Sequence, residues 1–355
     1  MDIIEIIERI GEGPTAALFG LITGLIFGVA AQRSNFCLRA AAIEFARGKL
    51  GGKVAVWFLT FSTALIWVQS AQLLGLFRAG DSRVMSVPGS WSGAIIGGLI
   101  FGVGMVLSRG CSGRLLVLAA TGNLRSVVAG LIFAVTAQMS LKGILAPYRD
   151  TLASLWITQG GENVNLLTAL HLPDWTGLAV GIVFALAGVY LAARNQIGIK
   201  VWIFASGVGF AVAVGWVLTF MLSQVAFDPV PVNSVTFSGP SANTLMFFLD
   251  RNAVLEFDVG LVPGVVIGAF LSSLVAGQFA WQAFDSVPVM RRSMIGAVMM
   301  GFGAMLAGGC AIGNGVTGTS VLAGTAWLAL FCMWIGAMVT DVLLDQRSLT
   351  PAQAC

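Results

Sequence analysis

Nine runs of apolar sequence divide this chain, at roughly 15–32, 54–77, 92–108, 125–145, 176–193, 199–222, 260–282, 292–307 and 322–342. A helix needs about 20 apolar residues to cross the hydrocarbon core of a bilayer. Once in lipid, its backbone groups must be satisfied within the protein. The pattern leaves one fold class, an all-α polytopic membrane protein with about nine transmembrane helices. Composition agrees: 57% of residues are hydrophobic and 10% are charged, against about 25% charged in a soluble domain. The formal net charge of +3 is spread along the chain, so it gives nucleic acid no basic face. The opening "MDIIEIIERI" is acidic rather than basic. It reads as an amphipathic interfacial helix, and no cleavage as a signal is expected.

Two of the runs end alike. "GGLIFGVGMVLSRGCSG" (97–113) and "GAVMMGFGAMLAGGCAIG" (296–313) share glycines, a leucine and a Gly-Cys step. Gly102, Gly104, Leu107, Gly110 and Cys111 match Gly301, Gly303, Leu306, Gly309 and Cys310. A weaker third copy lies at 24–42, and its counterpart is sought at 207–220, which has no cysteine. The expectation is one transport domain over 1–355, with pseudo-repeat halves at about 14–145 and 199–345 and a linker helix at about 176–193. Four spans return the chain to its starting side and the linker flips it, so the second half inserts upside down. Such inverted repeats are typical of transporters, with the substrate near the midplane. Leaving Arg33 aside, Lys and Arg number six on the N-terminal side against twelve on the other, or ten without Arg109 and Arg114. The positive-inside rule then puts the N-terminus outside and the C-terminus in the cytoplasm.

The Gly-rich breaks after the third and eighth runs read as re-entrant: the chain turns within the membrane and starts a short helix. Irregular backbone survives there only when covered by protein or lining a cavity. Helix starts present unpaired N–H groups that attract anions. Three cysteines sit at such breaks, in "RSNFCLRAA" (Cys37), "SRGCSGR" (Cys111) and "GGCAIGNG" (Cys310). Their polar or small neighbours include Asn35, Arg39, Arg109, Gly110, Gly309 and Asn314, and Asn123 lies just beyond the second break. A thiol is a weak, polarisable partner. It suits a sulfur-bearing anion or exchange chemistry better than chloride or phosphate. The expectation is a narrow aqueous passage with these thiols exposed to it. Among the duller assignments, Gly102, Gly104, Gly301 and Gly303 serve helix packing, Arg39 and Arg109 read equally as snorkelling cations, and Cys332 is a small hydrophobe. Cys355 is a tail thiol and His171 a loop residue. There is no C-x-x-C, so neither a disulfide scaffold nor a zinc site is expected, and no cofactor is called for.

At "QRSNFCLRAA", "GVGMVLSRGCSGRLLVLAATGN" and "GFGAMLAGGCAIGNGVTGTSVLAG" the chain resembles the YeeE/YedE family of thiosulfate-permease-like membrane proteins. The resemblance implies an hourglass of helices with short helices meeting at the waist, and import of thiosulfate or a related inorganic sulfur anion through the bacterial inner membrane. It implies that Cys37, Cys111 and Cys310 pass the anion inward by transient hydrogen bonds, and that a small TusA-like sulfur-carrier protein serves as a cytoplasmic partner. A membrane thiol or persulfide-exchange enzyme and a general small-anion channel stay open as alternatives.

Overall fold

The computed structural model describes residues 3–251, 253–283 and 286–345. In chain order its helices are α1 (Ile3–Ile10), α2 (Glu12–Ser34), α3 (Leu38–Ala46), α4 (Gly52–Leu73), α5 (Trp91–Leu107), α6 (Ser112–Ala120), α7 (Leu124–Lys142) and α8 (Ala146–Ala153). There follow α9 (Leu166–Ala169), α10 (Trp175–Arg194), α11 (Ile199–Ser223), α12 (Ser238–Leu249), α13 (Phe257–Val275), α14 (Val287–Leu306), a π turn (Gly313–Gly318), α15 (Gly324–Thr340) and a short π segment (Asp341–Asp345). Among the described residues, nine helical segments are long and apolar enough to cross a membrane. The protein is an all-α polytopic membrane protein.

Several boundaries differ from the sequence reading. The second and seventh spans stop at Leu73 and Val275 rather than at 77 and 282. Apolar residues continue past both ends, but Gly75 and Gly277 take positive φ, 73° and 63°, and turn the chain out of the helix. The stretches between the fourth and fifth runs and between the sixth and seventh are not plain loops, since they carry α8, α9 and α12. The segment 207–220, proposed as counterpart of the Cys37 break, lies inside the unbroken helix α11. The chain leaves that helix only after Ser223.

Glycine rows set how closely the long helices approach. Gly20, Gly24 and Gly28 of α2 recur every fourth residue, as do Gly260, Gly264 and Gly268 of α13, so each set lines one stripe of its helix. A Cβ at any of the six would overlap a backbone carbonyl oxygen of the facing helix. Lipid offers no hydrophobic drive for association, so close backbone packing takes its place. Gly102 faces Met333 on α15, Gly104 and Gly296 face each other between α5 and α14, Gly303 faces Gly97, and Gly301 meets Thr136 on α7. The packing role expected for Gly102, Gly104, Gly301 and Gly303 is what they perform.

The helix contacts come in matched pairs. α2 packs on α13 as α11 packs on α4, and α5 packs on α15 as α14 packs on α7. The short α3 rests on α4 and α15, and α12 rests on α13 and α7. α10 packs on α4. Arg47, at the end of α3, holds Asp341 through two hydrogen bonds of 2.8 and 3.0 Å, and the Asp341 side chain is wholly buried. Cys332 is buried on α15 against Gly98 of α5, in keeping with a small hydrophobe, and His171 is an exposed loop residue. Cys355 lies outside the described residues.

Candidate functional site

The beginnings of the short helices converge on one point. Cys37 is the residue before α3, and Cys111 the residue before α6. Both are extended, with φ of −158° and −76°, because each ends a break and its C=O must open the next helix. The two cysteines stand thiol to thiol and both are free. The Ala40 amide faces the Cys37 sulfur, and the amides of Arg114 and Leu38 face the Cys111 sulfur. The guanidinium charges of Arg114 and Arg39 act on Cys37. A Cβ on Gly113, two residues after Cys111, would meet the Phe237 ring at 3.0 Å and Ile312 at 3.3 Å. The start of α6 therefore touches both the residue before α12 and the residue before the π turn.

Cys310 lies on the second set of helix starts. Its sulfur accepts the Phe237 N–H at 3.3 Å and the Gly313 N–H at 3.5 Å, and lies 3.8 Å from the Thr236 hydroxyl. One amide opens α12 and the other opens the π turn. Thr317 ties the π turn down by donating its hydroxyl to the Val235 carbonyl. Asn314 holds the break itself, its amide donating to the carbonyls of Ala307 (3.0 Å) and Gly309 (2.8 Å). Asn314→Ala would leave both buried carbonyls bare, at an expected cost of about 1–3 kcal/mol. A lowered thermal midpoint of the purified variant in detergent would register it.

The remaining residues singled out in the sequence fall around these breaks in different ways. Asn35 ends α2 in the left-handed region (φ 52°), and its side chain accepts from Arg114 at 3.1 Å. Arg109 occupies the left-handed turn after α5 (φ 58°), where the second copy has Gly308 (φ 77°). The Gly110 N–H then closes the helix on the Met105 carbonyl at 3.1 Å. Asn123 caps α7 by accepting the Ser126 N–H at 3.0 Å and donates to Gln282 at 2.6 Å. These contacts are those of a cap, and the cysteines are not among its partners.

The expected exposure of the thiols is not what the structure shows. Cys111 and Cys310 have no exposed surface, and Cys37 is 6% exposed. The Phe237 ring, buried against Gly113 and set edge-on to Phe27 at 5.2 Å, closes the space around them. The Ser112 hydroxyl, buried beside Cys111, has no hydrogen-bond partner among the described residues. Beside Cys310, a chamber of about 280 Å³ is lined by Thr236, Gly313, Asn314 and Thr317, together with Arg83 and Arg149. Arg149 also pairs with Asp150 at 2.6 Å. Thr236 and Phe237 were absent from the sequence-derived set.

Buried sulfurs ringed by helix-start amides, with cations in an adjoining chamber, suit an anion that carries sulfur. The sulphur transport family matches residues 33–339, a stretch that takes in all three break cysteines. The chain belongs to that family. It is 28% identical over 349 residues to the thiosulfate transporter TsuA of Escherichia coli (strain K12), covering 93% of this chain and 95% of that protein. It is 26% identical over 341 residues to the thiosulfate transporter TsuA of Spirochaeta thermophila, covering 92% and 99%. Both matches run nearly end to end, so they include α12 and the chamber walls as well as the cysteine motifs.

Proposed function

We propose that this family member imports thiosulfate, or a closely related inorganic sulfur anion, across the bacterial inner membrane as a transporter and not as an enzyme. The observation that carries the reading is the buried Cys310 sulfur, held by two amide donors and set behind Thr236 and Gly313, which line a chamber containing Arg83 and Arg149. Moving an isolated ion from water into a low-dielectric medium costs on the order of tens of kcal/mol. Fixed amide dipoles at helix starts replace part of the lost hydration. Cys310 receives the anion from the chamber, and the Cys37–Cys111 pair takes it onward, with Ser112 supplying a further hydroxyl. Asn35, Arg39, Arg109, Gly110, Gly309 and Asn314 hold or flank this path. Contacts to single thiols are worth under about 1 kcal/mol each by analogy with other weak hydrogen bonds, and weak sites release as readily as they bind.

The matched helix contacts support two inverted halves, about 14–145 and 199–345, with α10 as the linker between them. On the Lys and Arg count the N-terminus is outside, which puts the chamber on the outer face and a docking place for a TusA-like carrier on the cytoplasmic one. A second reading draws on the thiol-to-thiol placement of Cys37 and Cys111. In it, a thiolate attacks the outer sulfur of thiosulfate, sulfite leaves, and the cysteine keeps a persulfide.

The test is uptake of radiolabelled thiosulfate by the purified chain in liposomes. Saturable uptake, blocked by unlabelled thiosulfate but not by sulfate, is expected, with no mass added to any cysteine. A persulfide adduct with released sulfite would favour the exchange enzyme, and equal passage of chloride a general channel.

A further inference from the structure

A second polar feature lies behind the chamber. Asp258, in the first turn of α13, is 3% exposed. Its Oδ2 accepts from the Asn243 amide at 2.9 Å, whereas its Oδ1 is buried without a hydrogen-bond partner among the described residues. The side chain borders a cavity of about 180 Å³ whose wall also includes Glu12, Asp228 and Glu256. The Glu12 carboxylate is already occupied by the amides of Phe227 (2.6 Å) and Asp228 (3.3 Å). From α12 comes Asn243 and no charge. The cation whose charge acts on Asp258 is Arg83, from the segment between α4 and α5, with Glu256 acting from the residue before α13.

Arg83 also lines the anion chamber. The two spaces share Asn233 as a wall residue. A Cβ on Gly239, which faces the chamber from the first turn of α12, would stand 3.7 Å from Asp258 Oδ2. One guanidinium thus serves two anionic claimants, the Asp258 carboxylate and whatever anion fills the chamber. A buried carboxylate that loses its compensating cation is costly, and a proton on the bare Oδ1 replaces that cation.

Resting on the import reading above, we propose that Asp258 takes up a proton when thiosulfate occupies the chamber and claims Arg83, so that anion binding is linked to protonation of this carboxylate. The linkage runs both ways: the proton favours the anion as much as the anion favours the proton.

The experiment is calorimetric titration of the purified chain with thiosulfate, repeated in buffers of different ionisation enthalpy to count protons. The wild type is expected to take up as much as about one proton per anion. Asp258→Asn is expected to bind thiosulfate with a proton count near zero. Its affinity for thiosulfate should also lose the pH dependence that the wild type shows. Asn243→Ala keeps the carboxyl and removes its one donor, so it should displace the pH of greatest proton uptake, which keeps the test alive should Asp258→Asn fail to fold. Wild-type binding without proton uptake, or undiminished proton uptake by Asp258→Asn, would overturn the coupling and leave the import reading standing. Absence of thiosulfate binding by the wild type would overturn both.

Discussion

Cys310→Ser is expected to cut thiosulfate uptake by roughly tenfold or more, equivalent to about 1.4 kcal/mol on the limiting step, with little loss of folded protein. Serine is the informative replacement because its oxygen can accept from the Phe237 and Gly313 amides that now meet the sulfur. Alanine would remove transport and also strand two buried donors, each at about 1–3 kcal/mol, so a lost signal would have two causes. The hydroxyl is smaller and harder than the thiol. It holds the two amides more firmly and offers the terminal sulfur of thiosulfate a poorer partner. Initial rates of labelled uptake in liposomes, normalised to folded protein, measure the effect. Wild-type rates in the serine variant would remove sulfur from the mechanism and leave only a hydrogen-bonding position.

Gly264→Val is expected to yield no folded, monodisperse protein. Its Cβ would overlap the Leu21 carbonyl oxygen on α2, and the next close atoms are Cα atoms of Leu21 and Gly24. Ordinary overpacking costs about 1–3 kcal/mol because side chains shift to relieve it. Here backbone meets backbone along the whole stripe, so the helices must separate, and the break at Cys37 follows directly after α2. Gly130→Val on α7 is the control, since a Cβ there meets nothing within 4 Å, and it should express and elute as the wild type does. Size-exclusion profiles of the two variants in the same detergent decide the matter. A well-folded Gly264→Val protein would mean that the α2–α13 stripe is not a close contact.

The spans were legible because bilayer crossing demands a length of apolar sequence, and nine segments of the chain supply it. Their ends at Leu73 and Val275 were harder to read. Nothing in hydropathy changes there, and only the glycines two residues on mark the turn. α12 was hidden inside a polar stretch, "FDPVPVNSVTFSGPSANTL". Its Ser-Gly-Pro opening, however, is a helix-start signal with proline in the first turn. The cysteine breaks were visible through their repeat. The meeting of Cys37 with Cys111 was not, because the two lie at separate breaks and no local pattern records their approach. Thr236 and Phe237 escaped for another reason. What Phe237 gives Cys310 is a backbone amide, which every residue but proline carries, so side-chain chemistry could not single it out. Asp258 was passed over because it is a lone acid at the mouth of an apolar run, and its burial comes from α12 folding across it.

The reciprocal stripes on α2 and α13 carry a consequence for motion. With carbonyls of each helix seated in the glycine notches of the other, the pair cannot slide by part of a turn without backbone collision, and tilting apart would forfeit the close packing along both stripes. Rocking of one bundle against another is thereby blocked along this seam, as it is where α5 meets α15. Movement is left to the parts outside the zippers: the Phe237 ring, the first turn of α12 and the π turn. On the proposed import path, gating then falls to a rotamer and a loop rather than to whole domains changing their angle.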